Sequence, residues 1–413
     1  ALAAGLSLST LVAPPSFRAG AAETPPTAAP VGLPMTSRGG NSQVGLSLSN
    51  DDLQMPDYTS PGPFRTARLP RLEHTCSTCF PQCVGDRCRL RIDVTYPKNA
   101  LSQGYSPPYP LAIFTSGFLV SSDNYASYAN RLASWGYLVI TYDTTETMND
   151  LLDDEISVRL IRELIDWAAS DQLIQRCADT ERVYLCGHSR GGKLATLAAA
   201  ADNRVAALCL IDPVDNTIYA PLGPGYPSAV AALQKLERDR YTDRQQRPLP
   251  IAVVGSGLGG DCVPKDSNYR RFFDASSSPS WEVVIEDAGH FQFVDSRSLL
   301  YRAVCAEGST PDEAIKAVTK AVMVAWGETM VKGRQGIRCP PADGPSCSSS
   351  SHPGVEGKSI NIQGLDILTG YPNLDLASLL FRTEGAASRV LSQGGYQQGV
   401  AVQLNTRIKG FSM

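Results

Sequence analysis

Val183-Tyr184-Leu185-Cys186, a short apolar run, gives way at once to Gly187-His188-Ser189-Arg190-Gly191 and then to the Ala/Leu-rich stretch Lys193 to Ala201. The first piece reads as a strand and the last as a helix. The glycines between them permit a strained turn that lifts one side chain clear of a sheet. A strand, a sharp turn and a helix in that order commit the chain to helices packed on a sheet. They also set the Ser189 hydroxyl at a helix N-terminus, whose N–H groups stabilise negative charge on a substrate oxygen. Ser189 is the candidate nucleophile.

The surrounding sequence repeats this alternation. Arg89 to Tyr96 alternates as an antiparallel edge strand should, with Leu90, Ile92 and Val94 on one face. Apolar runs at 111–115, 137–142, 182–186, 205–211, 249–254 and 281–285, each bounded by Gly, Pro or Asp, predict buried parallel strands. Helical patterns fall at 124–134, 154–169, 192–201, 296–306 and 311–332. The fold class expected is α/β: a doubly wound, mostly parallel sheet of the α/β-hydrolase kind spanning 61–332. Residues 215–248 interrupt the alternation and contain an amphipathic piece, 228–240, expected to form a cap-like insertion. Residues 333–413 read as a serine-rich linker and a C-terminal extension in which 399–408 is a candidate strand.

Residues 1–60 are rich in Ala, Gly, Ser, Thr and Pro and show no sustained period, which predicts a disordered tail. The chain opens on Ala1, and its apolar start and small-residue site at Ala19-Gly20-Ala21 are expected to be the remnant of a targeting signal. A net charge of -4 without a dense basic stripe gives no support to a nucleic-acid partner. No segment reaches the about 18 consecutive apolar residues of a membrane span, so membrane contact is expected to be peripheral. Of eleven cysteines, four lie in the lead-in 74–88. Local disulfides or a zinc knot with His74 both fit that cluster, the irregular spacing favouring disulfides. Cys262 with Cys305 and Cys339 with Cys347 are further candidate pairs; Cys186 and Cys209 fall inside strands and are expected to be buried thiols.

A nucleophilic serine needs a base, and the chain has four histidines. His188 adjoins the serine with its side chain expected to point away, His74 lies among the cysteines and His352 in the linker. His290, in the loop after the last core strand, is the candidate base. The acid that orients it should end a strand between the two. Asp212 and Asp261 both qualify on position, and Asp215 and Asp287 lie close enough in sequence to be weighed. The oxyanion hole needs two backbone donors, expected from Arg190 after the nucleophile and Phe118 in the loop after strand 111–115.

Gly187-His-Ser-Arg-Gly-Gly-Lys193, Ile211-Asp-Pro-Val214 and Pro250-Ile-Ala-Val-Val-Gly-Ser-Gly-Leu-Gly259 resemble the chlorophyllase family, as do Cys262-Val-Pro, Asn268-Tyr-Arg-Arg-Phe272 and Asp287-Ala-Gly-His290. The likeness runs from about 110 to 332. It implies a triad of Ser189, Asp212 and His290, the Asp-Pro-Val block deciding for Asp212 over Asp261. It also implies hydrolysis of the phytyl ester of chlorophyll to chlorophyllide and phytol, without metal or bound cofactor, in a chloroplast, at or inside the thylakoid. Leu119, Phe291 and Phe293 are then candidates to line a groove for the phytyl chain, and peripheral contact with a pigment-bearing membrane is expected. One departure is Ser116-Gly117 where the family usually has His-Gly. The segment around 116–118 also resembles platelet-activating-factor acetylhydrolases and cutinase-like polyester hydrolases, which leaves a lipid or polyester substrate as the alternative. A pigment carrier on the same fold is opposed by an intact Ser, Asp and His set.

Overall fold

In the computed structural model the residues described are 58–332, apart from 59, 80–84, 148–150, 219, 243–247, 261, 278 and 298–304, together with 359–362, 365–368, 402 and 404–409. Everything below concerns those residues. The expected tail, the linker, and the candidate pair Cys339 and Cys347 lie outside them, as do Asp261, His352 and most of the helix expected at 296–306.

Alternation along each central strand builds two cores, one on each face of a single sheet. Leu111, Ile113, Leu185, Leu208, Leu210 and Val253 face one side, and Ala112, Phe114, Cys186, Cys209, Ile211 and Val254 the other, all buried. Strands buried on both faces need no polar alternation, which is why they read as continuous apolar runs. The strands are β1 (Thr66–Arg68), β2 (Leu72–Thr75), β3 (Arg89–Pro97), β4 (Tyr109–Thr115), β5 (Leu138–Asp143), β6 (Ala178–His188), β7 (Val205–Ile211), β8 (Ile251–Leu258) and β9 (Ser280–Gly289). A separate antiparallel pair, β10 (Ser359–Ile362) and β11 (Leu365–Leu368), follows, and then β12 (Leu404–Lys409).

The main sheet runs β1-β3-β5-β4-β6-β7-β8-β9-β12, with β2 also paired to β3. Neighbours from β5 through β9 are parallel. At β4 the order reverses: the chain leaves for β5 on one side and returns to β6 on the other. The carboxyl ends of β4 and β6 therefore flank the crevice where such sheets bind ligands. Two expectations need correcting here. β3 is antiparallel as predicted but is not an edge, because β1 and β2 both pair with it; strands this short leave little trace in a periodicity. The candidate strand at 399–408 is β12, antiparallel to β9.

Helices α1 (Ala126–Ser134) and α6 (Asp312–Gly327) pack on one face, and α2 (Asp154–Ser170), α3 (Arg190–Ala201), α4 (Ala229–Thr242) and α5 (Tyr269–Ala275) on the other. α2 shows the local logic: Asp153 caps it by accepting from Ile156 N–H at 2.8 Å, acidic residues fill its first turn, and Ile156, Leu160 and Leu164 line its buried face. Each such side chain contributes about 1.5–3 kcal/mol by leaving water. α4, expected in a cap, is instead the crossover helix between β7 and β8, with Ala229 and Leu233 buried in the core beside α3 and α5. Its amphipathic period announces a surface to cover and does not say which. Asp215 holds its start, accepting from Ala229 N–H at 2.6 Å and Ser228 Oγ at 2.5 Å.

In the lead-in, Cys76 and Cys79 are disulfide-bonded and Cys88 is a buried thiol. His74 Nε2 meets Glu163 Oε1 of α2 at 2.8 Å, turned away from the sulfurs. Cys186 and Cys209 are buried thiols as expected, and Cys262 is bonded to Cys305.

Candidate active site

Ser189 holds φ 58° and ψ −126°, a conformation that side chains disfavour, at the junction of β6 and α3. The glycines around it make the junction fit. A Cβ on Gly191 would lie 2.2 Å from Thr115 O, one on Gly187 2.3 Å from Gly191 O, and one on Gly192 2.8 Å from Pro213 Cβ. The backbone is anchored by Ser189 N–H to Ile211 O at 3.0 Å, and Ser189 O accepts from Gly192 N–H at 3.0 Å. The hydroxyl is thus held at the crevice, half-buried.

His290 Nε2 lies 2.9 Å from Ser189 Oγ, and His290 Nδ1 lies 2.6 Å from Asp212 Oδ2. Asp212 is fully buried at the end of β7 with φ 40°. Its carboxylate accepts from Ser256 N–H at 3.0 Å and Ser256 Oγ–H at 2.7 Å. A carboxylate only accepts, so Nδ1 carries the imidazole proton and Nε2 is left to take one from Ser189. The expected alternates lie elsewhere: Asp215 caps α4, and Asp287 is hydrogen-bonded to Ser309.

The turn His290–Phe293 is braced from behind. Gln292 Oε1 accepts from Gly289 N–H at 2.8 Å and Gly308 N–H at 2.7 Å, and its Nε2 donates to Thr310 O at 2.8 Å. A Cβ on Gly289 would strike Ala306 O, so segment 305–310 lies directly against this turn, and Cys305 ties it to Cys262 beyond β8. Tyr128 Oη donates to Phe293 O at 2.6 Å. Ser256, Gln292 and Tyr128 belong to no motif and were not among the sequence-predicted site residues. Their partners lie 16 to 165 positions away, at distances no spacing rule reaches.

The loop after β4 passes close to the serine, since a Cβ on Gly117 would lie 3.4 Å from Ser189 Cβ. Gly117 O accepts from Val120 N–H at 3.1 Å. In a trans peptide the Phe118 N–H points opposite to that carbonyl, out of the turn. Arg190 N–H is the first of α3 and has no acceptor within the helix. The Arg190 side chain turns away: Nε meets Asp154 Oδ1 at 2.8 Å and Nη1 meets Glu146 Oε1 at 3.0 Å. Leu119, 37% exposed with φ 53°, lines a cavity of 290 Å³ together with Ser116, Tyr142, Glu146 and Arg190. Phe291 packs edge-on against the His290 ring at 5.1 Å between centroids. Phe293 corrects an expectation: it is fully buried in the core on the α1 and α6 side and lines no groove. One turn of the chain separates it from Phe291, and that rotation points it inward.

Comparison with known proteins follows the same stretch of chain. The chlorophyllase family model matches residues 97–338, more than half of the sequence. Chlorophyllase type 0 of Chenopodium album is 26% identical over 266 residues, covering 58% of this chain and 72% of that protein. Chlorophyllase-1 of Arabidopsis thaliana is 25% identical over 250 residues, covering 53% and 73%. Among solved structures, a ferulic acid esterase from Streptomyces cinnamoneus superimposes with a TM-score of 0.47 at 17% identity, covering 70% of this chain and 96% of that one. A family match that runs through every strand from β4 to β9, and through Ser189, Asp212 and His290 on the way, leaves one assignment: the chain belongs to the chlorophyllase family and is a carboxylic ester hydrolase.

Proposed function

We propose that the chain hydrolyses the phytyl ester of chlorophyll, or of a closely related phytylated tetrapyrrole, with Ser189 as nucleophile. The observation that carries the chemistry is the unbroken line of hydrogen bonds from Ser189 Oγ through His290 to the buried Asp212 carboxylate. The relatives named chlorophyllase support the choice of ester.

His290 Nε2 takes the Ser189 proton as Oγ attacks the ester carbonyl, and Asp212 stabilises the imidazolium that forms. The Phe118 and Arg190 N–H groups hold the oxyanion. The tetrahedral intermediate collapses, phytol leaves with the proton from His290, and the acyl group stays on Ser189. Water, deprotonated by His290, then releases chlorophyllide. No step calls on a metal or a cofactor. Phe118 and Leu119, 39% and 37% exposed at the rim, with Phe291 beside the histidine, are the apolar surfaces nearest the reacting atoms and are assigned to the phytyl chain. Among the described residues no helix is long and apolar enough to cross a membrane. Contact with a pigment-bearing membrane, in a chloroplast, is accordingly assigned to this exposed rim.

The test is release of phytol and chlorophyllide from chlorophyll a by the purified chain, beside Ser189→Ala. Release is expected from the intact chain and a loss of at least about 10³-fold in the variant. Cleavage of p-nitrophenyl butyrate without any release from chlorophyll would keep Ser189 but move the substrate to lipid or polyester esters.

A further inference from the structure

His188 stands next to the serine, is fully buried, and takes no part in the proton transfer described above. Its two ring nitrogens nevertheless touch both halves of the catalytic apparatus. Nε2 lies 3.1 Å from His290 O, and Nδ1 lies 2.8 Å from Tyr125 Oη. Tyr125 Oη in turn lies 3.2 Å from Gly117 N, in the loop that carries Phe118. The outer two groups fix the direction of every bond, because an amide N–H only donates and a carbonyl only accepts. Gly117 N–H therefore donates to Tyr125 Oη, Tyr125 O–H donates to His188 Nδ1, and His188 Nε2–H donates to His290 O. This is the neutral imidazole with its proton on Nε2. A second proton on Nδ1 would face Tyr125 Oη, already an acceptor from Gly117, and leave the phenol proton without its partner.

We propose that His188 and Tyr125 are positioning residues that fix the separation between the oxyanion loop and the catalytic histidine. Three features fit that role. A Cβ on Gly117 would come within 3.2 Å of both His188 Nδ1 and Tyr125 Oη, so only glycine seats the loop directly on the Tyr–His bond. The same Gly117 lies against Ser189, so the relay spans the oxyanion loop, the serine turn and the histidine turn within a few ångströms. The His188 and His290 rings are 4.7 Å apart between centroids, so the imidazolium that forms on His290 needs an uncharged neighbour. A purely apolar filler would leave Gly117 N–H and His290 O buried without partners.

The role rests on ester hydrolysis at Ser189 and not on the identity of the ester, so the test uses p-nitrophenyl butyrate. Tyr125→Phe keeps the ring and removes one hydroxyl. Active sites are counted by organophosphate titration, and kcat is expressed per titrated site. The expected result is a fall in kcat of about 10- to 100-fold with KM within about twofold, as for a reacting geometry displaced by a fraction of an ångström. His188→Gln is expected to lose a similar factor, and the double variant no more than the larger single loss, because both residues act through one chain of bonds. Unchanged kcat per site in Tyr125→Phe, with fewer titratable sites or a lower unfolding midpoint, would mean a structural role only and overturn the proposal. So would losses that multiply in the double variant. Failure of the native chain to act on chlorophyll leaves all these readouts in place.

Discussion

Among the described residues the non-glycine positions with positive φ are Leu119, Ser189 and Asp212, at 53°, 58° and 40°. All three sit at the crevice, where strain of about 1–3 kcal/mol per residue is tolerated because the surrounding packing fixes it. His188 is costly in a different way. Burial first, and the neighbouring His290 second, hold its pKa well below the ordinary histidine value of 6.5. Below that value the unfolded chain binds a proton that the folded chain refuses. Stability therefore rises with pH across the window between the folded and unfolded pKa values, and as pH falls below 6.5 it is lost at up to about 1.4 kcal/mol per pH unit. Urea unfolding from about pH 7 down to about pH 5 should show this slope, and His188→Gln should flatten it. At this scale Ser189 and His290 were legible because each sits in a short motif at a strand end, while Asp212 needed the family likeness to separate it from Asp261. Tyr125, Ser256 and Gln292 were not legible: each acts on atoms far along the chain, and nothing in its own neighbours distinguishes it from a core or turn residue.

Among the elements, the strand-turn-helix unit of β6 and α3 is the least tolerant of added volume. Gly191→Ala would place a methyl 2.2 Å from Thr115 O, backbone that cannot move without displacing β4. The expected cost is about 3 kcal/mol, read from denaturant midpoints, with esterase activity lost in step. Gly223→Ala, which meets nothing within 4 Å, serves as the matched control and should stay within about 0.5 kcal/mol of the native chain. The central strands and α2, α3 and α6 could be read from the sequence because their apolar residues recur at the period of the element over several turns. β1 and β2 are three and four residues long, too short for any period to show. α4 had the right period but the wrong destination, since amphipathicity is the same for a helix over a site and a helix over a sheet.

On the scale of the whole molecule, β12 closes the open side of β9 and brings Arg407 onto the buried Glu282, with Nη2 to Oε1 at 2.6 Å. Arg407 is partly exposed, which reduces what the pair is worth, but its removal leaves a carboxylate buried without a counter-charge. Ending the chain before β12 should lower stability by about 2 kcal/mol, seen as an earlier urea midpoint, and light scattering should report association through the bared edge. The order of the strands has a consequence in time as well. Ser189, Asp212 and His290 come from the ends of β6, β7 and β9, and β8 must lie between the last two before His290 can reach Asp212. Pairings between segments so far apart in the chain form slowly. A chain refolding from denaturant regains esterase turnover no sooner than the last of these strands docks, so the first burst of product times the completion of the sheet.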